Sequence, residues 1–270
     1  MKIKLTLCWT VVLWAVSPFL FAHEFWIQPS NFFASIGEEI NLRLLVGDNF
    51  TGERWGGKMK RITELKDVGK SAVRDLSGAI YPEDSLLSVR FALKTNGTHL
   101  LYLTTNNSFI SLPAAKFNAY LKEDGLDDAL TFRGNHNQLE EPSREQYRRC
   151  VKTLIQVGKQ PDSTFARRVG MTLEIVPLQN PYALRHSDSM DFKILLKGKP
   201  LFHALAHSWR RDKDSTITVE RRTNKRGIAR FAINKPGVWL ISVVAMIPAE
   251  DKQIADWQSL WGSLTFETRR

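Results

Sequence analysis

Short runs in which apolar and polar residues alternate, each closed by Pro, Gly or Asn, fill the second half of this sequence and constrain its fold more than any other feature. Phe192 to Leu196, Leu201 to Trp209, Thr216 to Glu220, Gly227 to Ile233 and Gly237 to Met246 form such runs. The turns between them are Gly198-Lys199-Pro200, Thr223-Asn224-Lys225 and Lys235-Pro236-Gly237. Successive side chains of a strand point to opposite faces, so a period of two buries one face, and the punctuating residues supply the turn conformations. Parallel βαβ units need long crossover segments that do not fit in these gaps, so the region reads as a compact all-β sandwich.

The same period recurs earlier. Ile40, Leu42 and Leu44 alternate with Asn41 and Arg43, and Met171 to Ile175 forms a run that ends at Pro177. Leu86 to Lys94 and Thr98 to Thr105 flank Asn96-Gly97, which reads as a two-residue hairpin turn because both residues tolerate positive φ. Asp48 to Lys60, with Gly52, Gly56 and Gly57 around Trp55, reads as an exposed loop. From Ser111 to about Leu139 the pattern turns helical: Pro113 suits a first turn, Phe117, Tyr120 and Leu121 share a face, and Gly125 suits a left-handed end. Ser143-Arg144-Glu145-Gln146 has capping-box spacing, and Tyr147 to Val157 fits either a continued helix or a strand. Asn180-Pro181 reads as a junction. The expectation is a β-rich unit over 23–180 with a helical segment near 111–157, followed by a β-sandwich unit over 181–267.

At the opening, Lys2 and Lys4 precede an apolar run from Leu5 to Val16, and Leu20-Phe21-Ala22 ends in a small residue. This is the pattern of a secretory signal over 1–22, which places the mature chain in the periplasm. Ser17 and Pro18 interrupt the run short of the roughly 20 residues a span requires, so a membrane-spanning mature chain is not expected. Cys8 leaves with the signal and Cys150 remains, a buried structural thiol rather than a reactive one. The formal charge of +10 becomes +8 without Lys2 and Lys4, as 36 basic residues then face 28 acidic ones. The basic pairs Arg148-Arg149, Arg167-Arg168, Arg210-Arg211 and Arg221-Arg222 are scattered, which argues against nucleic acid as a partner.

Cleavage after Ala22 leaves His23 at the chain start, where one α-amino group and its own imidazole can chelate a single metal ion. His203 and His207 are the other candidate ligands. On a strand they lie on one side but roughly 13 Å apart, too far to share an ion, although either can meet His23 through the tertiary fold. His99 shares a face with Leu101 and Leu103 and reads as a satisfied core residue. The chain has no phosphate-binding loop, nucleophile elbow, H-E-x-x-H, C-x-x-C or dinucleotide glycine pattern, and no facing carboxylate pair is evident. An enzyme is therefore not expected, nor an organic cofactor.

Several segments taken together resemble a known family. They are His23-Glu24-Phe25-Trp26-Ile27-Gln28-Pro29 after the signal, Leu44-Leu45-Val46-Gly47, Leu173 to Leu178 with Asn180-Pro181, Gly198-Lys199-Pro200-Leu201, Gly237-Val238-Trp239-Leu240-Ile241, and Asp256 to Glu267. The set resembles the NikM-like domain-of-unknown-function family of bacterial periplasmic proteins, often labelled the periplasmic component of a cobalt/nickel ABC-type transport system. The resemblance implies a mainly β protein with two immunoglobulin-like or transthyretin-like sandwich units, a helical insert in the first, and a link to divalent metal supply. Relatives commonly carry His before the Met that follows the G-x-W strand; here that position is Ala245. The function expected is periplasmic capture of nickel, cobalt, copper or zinc for a membrane transporter. The alternative is a metal-free β-sandwich interaction module of the envelope. A copper oxidase built on the same chelate is a third reading that no substrate-facing motif supports.

Overall fold

The computed structural model describes residues 24–84, 86–184, 189–212 and 215–269, and these form a mainly β protein of three sheets. The first sheet runs in the order β1 (Glu24–Pro29), β3 (Glu39–Asp48), β8 (Leu86–Ala92), β7 (Ile80–Glu83), with β4 (Thr51–Arg54) hairpinned on β3. The second and largest runs β16 (Ser215–Arg222), β15 (Leu205–Asp212), β18 (Gly237–Pro248), β19 (Trp257–Thr268), β11 (Ser143–Val157), β9 (Gly97–Thr105), β5 (Ile62–Val68), β6 (Val73–Asp75). Two further strands, β10 (Ser108–Leu112) and β2 (Phe33–Ala34), pair with β11. The third sheet comprises β12 (Leu173–Pro177), β13 (Ser189–Leu196), β14 (Lys199–Pro200) and β17 (Ile228–Ala232). Helices α1 (Ala114–Glu123) and α2 (Asp127–Asn135) lie between β10 and β11. No described helix is long and apolar enough to cross a membrane.

The large sheet is covered on both faces. One face packs on the third sheet through Leu173, Phe192, Phe231, Ile241, Leu264 and Phe266. The other packs on the first sheet through Phe25, Ile27, Leu42, Val89, Val151 and Ile155, and farther along on the helices through Phe117, Leu121, Trp257 and Trp261. β11 joins these cores. Cys150 and Leu154 enter the first and Val151 and Ile155 the second, as side-chain alternation requires. Its register with β19 is parallel, from Glu145 opposite Trp257 to Thr153 opposite Thr265. Asn180-Pro181 lies between β12 and β13, which pair antiparallel in the third sheet.

Several local expectations are corrected. Asn96-Gly97 does not make a hairpin: β8 pairs with β3 and β7, whereas β9 pairs with β5 and β11, so this turn crosses from one sheet to the other. Gly97 is required there by φ of 117° and because a Cβ would fall 2.2 Å from an Asp162 carboxylate oxygen. The glycine-rich stretch after Asp48 is not a loop throughout, since β4 forms within it and Trp55 is buried. A Cβ on Gly52 would lie 2.4 Å from the Val46 carbonyl oxygen and 2.7 Å from the Trp26 ring, and glycine alone admits that approach. The Ser143 capping box is a strand start. Both faces of β11 are buried beyond Cys150, which erases the period of two and leaves a pattern that helix and strand share. The Leu201 to Trp209 run is broken: β15 begins at Leu205, after His203 has turned to φ of 61°.

Lys152 of β11 carries its ammonium into the interior between the large sheet and the third one. Its ammonium donates to Glu174 at 2.6 Å and to the Ile175 carbonyl at 3.2 Å, and Glu174 also accepts the backbone N–H groups of Val169 and Gly170. Burial pulls the Lys152 pKa down, and the carboxylate works against that. Lys152→Met strands a buried carboxylate and should cost about 3–5 kcal/mol in urea unfolding. Adding Glu174→Gln should recover at least half of that loss.

Candidate functional site

A cleft of about 250 Å³ opens on the helix-bearing face of the large sheet, where three distant parts of the chain meet. Its floor is His207 and Trp209 of β15, with Ser242 of β18 and Trp261 and Ser263 of β19 where it narrows. One wall is Glu24 at the start of β1 with Asp48 and Asn49 of the β3–β4 turn; the other is Tyr120, Glu123 and Asp124 at the end of α1.

Each wall is pinned by identifiable contacts. β1 lies across β19, where the hydroxyls of Ser263 and Thr265 donate to the carbonyls of Phe25 and Ile27, both at 2.7 Å. The β3–β4 turn seats Phe50 in a cluster with Trp26, Trp209 and Leu240. Arg211 donates to the Phe50 carbonyl at 3.0 Å and lies 4.4 Å from its ring centroid. On the opposite side Arg222 holds the turn between the helices: it donates to the carbonyls of Gly125 and His203, both at 2.9 Å, and pairs with Asp127 at 2.8 Å. Gly125 is at φ of 62°, and a Cβ there would fall 2.7 Å from the Leu205 Cβ.

The electrostatics favour a cation. Burial, then the charges of Glu24, Glu123, Glu145 and Asp48, raise the Asp124 pKa well above the usual carboxylate range. A carboxyl kept protonated by negative neighbours ionises when a cation enters and offsets them. His207 is the complementary group. Burial lowers its pKa, with Glu220 opposing, so the ring is neutral at pH 7, the form that ligates metals. It stacks on Trp209 at 5.5 Å, and its Nδ1 is buried with no hydrogen bond, 3.8 Å from a Glu220 carboxylate oxygen. Among the described residues no three His, Cys, Asp or Glu side chains form a ready-made ligand set.

The candidate ligands named from sequence separate. His207 lies in the cleft and on the expected strand. His203 lies in a neighbouring depression of about 70 Å³ with Asp127, Phe202 and Ala245, and its ring is 3.9 Å from the Asp127 carboxylate. Ala245 shares that depression with His203 and does not line the cleft with His207. His23 lies outside the described residues; Glu24, which follows it, lines the cleft. His99 is the satisfied core residue expected, with Nδ1 2.7 Å from Asp67 and Nε2 3.0 Å from the Thr95 carbonyl. Asp48, Glu123 and Asp124 were missed because they come from a turn and a helix end whose meeting no local pattern encodes.

Behind the cleft, Glu145 of β11 is sealed under Tyr120, which stacks on Trp261 at 5.9 Å. Tyr120 donates to Glu145 at 3.3 Å, and the Ser259 hydroxyl donates to the same oxygen. Burial raises the Glu145 pKa from 4.5 to about 7 against these two bonds. The folded state therefore holds a proton that the unfolded chain releases near pH 4.3, a stabilisation complete below that pH and lost as pH climbs to about 7. The loss should be on the order of 2–3 kcal/mol. His99, raised by Asp67, declines in the same sense, and His207, lowered by burial, acts oppositely. Glu145→Gln should reduce the fall in urea stability between about pH 5 and about pH 7.5, leaving the contributions of Asp124 and the histidines.

No curated protein matches the chain. Among solved structures, murine CEACAM1b is similar at 7% identity, covering 91% of this chain and 99% of its own, with a TM-score of 0.20. Three N-terminal domains of the highly immunogenic outer capsid protein of bacteriophage RB49 give 10% identity over 90% of this chain and 59% of theirs, with a TM-score of 0.19. Escherichia coli alpha-2-macroglobulin activated by porcine elastase gives 8% over 90% of this chain and 20% of its own, with a TM-score of 0.21. Scores this low bear on neither fold nor function. The sequence itself is decisive: residues 20–247 match DUF4198, a domain of unknown function, and the chain belongs to that family.

Proposed function

We propose that this protein is an exported, non-enzymatic binder of a divalent transition metal of the nickel and cobalt class, which it delivers to a membrane transporter as NikM-like relatives are thought to do. The observation that carries this reading is His207, whose Nδ1 makes no hydrogen bond, lining a cleft whose wall begins at Glu24, the residue after the predicted cleavage product's first. His23 is then to supply its amine and imidazole, His207 a third nitrogen and Asp124 an oxygen. Such mixed nitrogen and oxygen ligation suits nickel, copper and zinc better than calcium or magnesium. The incomplete ligand set among the described side chains makes the reading depend on His23.

Mass spectrometry of protein purified from the periplasm should give His23 as the first residue. Titration of that protein with nickel, cobalt, copper and zinc salts should show 1:1 binding, and metal at a hundredfold excess over Kd should stabilise it by about 2.7 kcal/mol. His207→Ala should weaken binding at least tenfold, a loss of about 1.4 kcal/mol, while His203→Ala leaves it unchanged. A different first residue, or a melting curve indifferent to all four ions, leaves the metal-free envelope module in its place.

A further inference from the structure

The metal reading does not use Arg149, a half-buried cation held by aromatic rings. It projects from β11 toward the first sheet, with its guanidinium carbon 4.6 Å from the Phe25 ring centroid and 5.5 Å from those of Trp55 and Tyr147. Comparable cations have acceptors. Lys152 has Glu174, Arg54 has Glu83 and Ser88, and Arg133 has the carbonyls of Gln138 and Glu141 with the Asn118 side chain. Among the described residues, the Arg149 guanidinium has neither an ion-paired carboxylate nor a hydrogen-bond acceptor. Three rings attract its charge but accept none of its five N–H groups.

A second arginine stands nearby. The chain at Arg61 and Ile62 meets the end of β9, where Ile62 is opposite Thr105, and the Thr105 hydroxyl accepts the Arg149 backbone N–H at 3.0 Å. Arg61 donates to the Ser108 hydroxyl, and Ser108 is opposite Tyr147, one of the three rings. The Arg61 Nε is buried with no partner. Lys58 and Lys60 beside it are exposed, so this end of the sheet is basic. Burial depresses the Arg149 pKa, Tyr147 opposes that shift, and the Arg61 charge lowers it further. Arg149 is walled by aromatic rings and Arg61 keeps a buried Nε without a partner, so both guanidinium groups hold unused donors at this end of the sheet.

We propose that Arg149 and Arg61, framed by Phe25, Trp55 and Tyr147, form a binding site for an oxyanion, the carboxylate or phosphate group of a small ligand or of an acidic envelope polymer. Guanidinium groups match both oxyanions through paired N–H donors, and hydrogen bonds to charged groups there are stronger than neutral ones. The site shares Phe25 with the narrow end of the cleft but none of the proposed metal ligands, so protein stripped with EDTA tests it without reference to metal. At fixed pH and ionic strength, acetate and inorganic phosphate are each titrated against a chloride control, reading the arginine Nε–H resonances by NMR and the thermal midpoint. One anion or both should shift the Arg149 resonance saturably and raise the midpoint, and the one that does so identifies the group recognised. Arg149→Gln should abolish the midpoint response and Arg61→Gln should weaken it at least tenfold, or about 1.4 kcal/mol. If Arg149→Gln does not fold, the wild-type resonance and Arg61→Gln still decide the matter. The proposal is overturned if neither anion moves the Arg149 resonance beyond chloride, or if Arg61→Gln binds as the wild type does.

Discussion

The parallel pairing of β11 with β19 is the constraint on which the remaining structure depends. β11 is 15 residues long and buried on both faces along its second half, so it contributes to two cores at once. Parallel neighbours cannot be joined by a tight turn, and here the connection consumes everything from Gly158 to Asp256, including the whole third sheet. The segments before and after Asn180-Pro181 thus share one hydrogen-bonded sheet. The Lys152–Glu174 pair ties that sheet to the third one in an interior where neither charge reaches water.

The cleft inherits its geometry from that arrangement. β19 supplies the hydroxyls that fix β1, and β15 and β18 supply its floor, so Glu24 and His207 meet although 183 positions separate them. The helical wall is a less extensive contact. It rests on Tyr120 and Trp261 below and on Arg222 at the turn, where one guanidinium bonds to two carbonyls and a carboxylate. The carboxylates gathered here repel one another, and burial together with that repulsion holds the Asp124 pKa well above the usual carboxylate range. Such an arrangement weakens the empty cleft and favours a cation within it.

What the sequence made legible follows from how local the cause is. Strands with one solvated face, such as β3, announced themselves by alternation, because water removes the ambiguity from half of their positions. β11 did not, because burial on both sides replaces alternation with a run that helix and strand share. Asn96-Gly97 carried the chemistry of a hairpin, yet the same positive φ serves a crossing between sheets, and only the partners of β8 and β9 distinguish the two. His99 was read correctly, since a histidine in line with Leu101 and Leu103 has to satisfy its nitrogens internally. His207 was legible as a candidate, but its separation from His203 depends on a left-handed residue just before β15 that no turn signal marks. The acidic wall and the Arg149 environment were invisible, as both arise from residues brought together across the large sheet.

The floor of the cleft includes β19, which lies between β18 and β11 in the large sheet. The same strand carries the hydroxyls that hold β1, so one segment both underlies the cleft and fastens its Glu24 wall. Removing the Thr265 hydroxyl therefore loosens that wall while leaving the helical wall untouched.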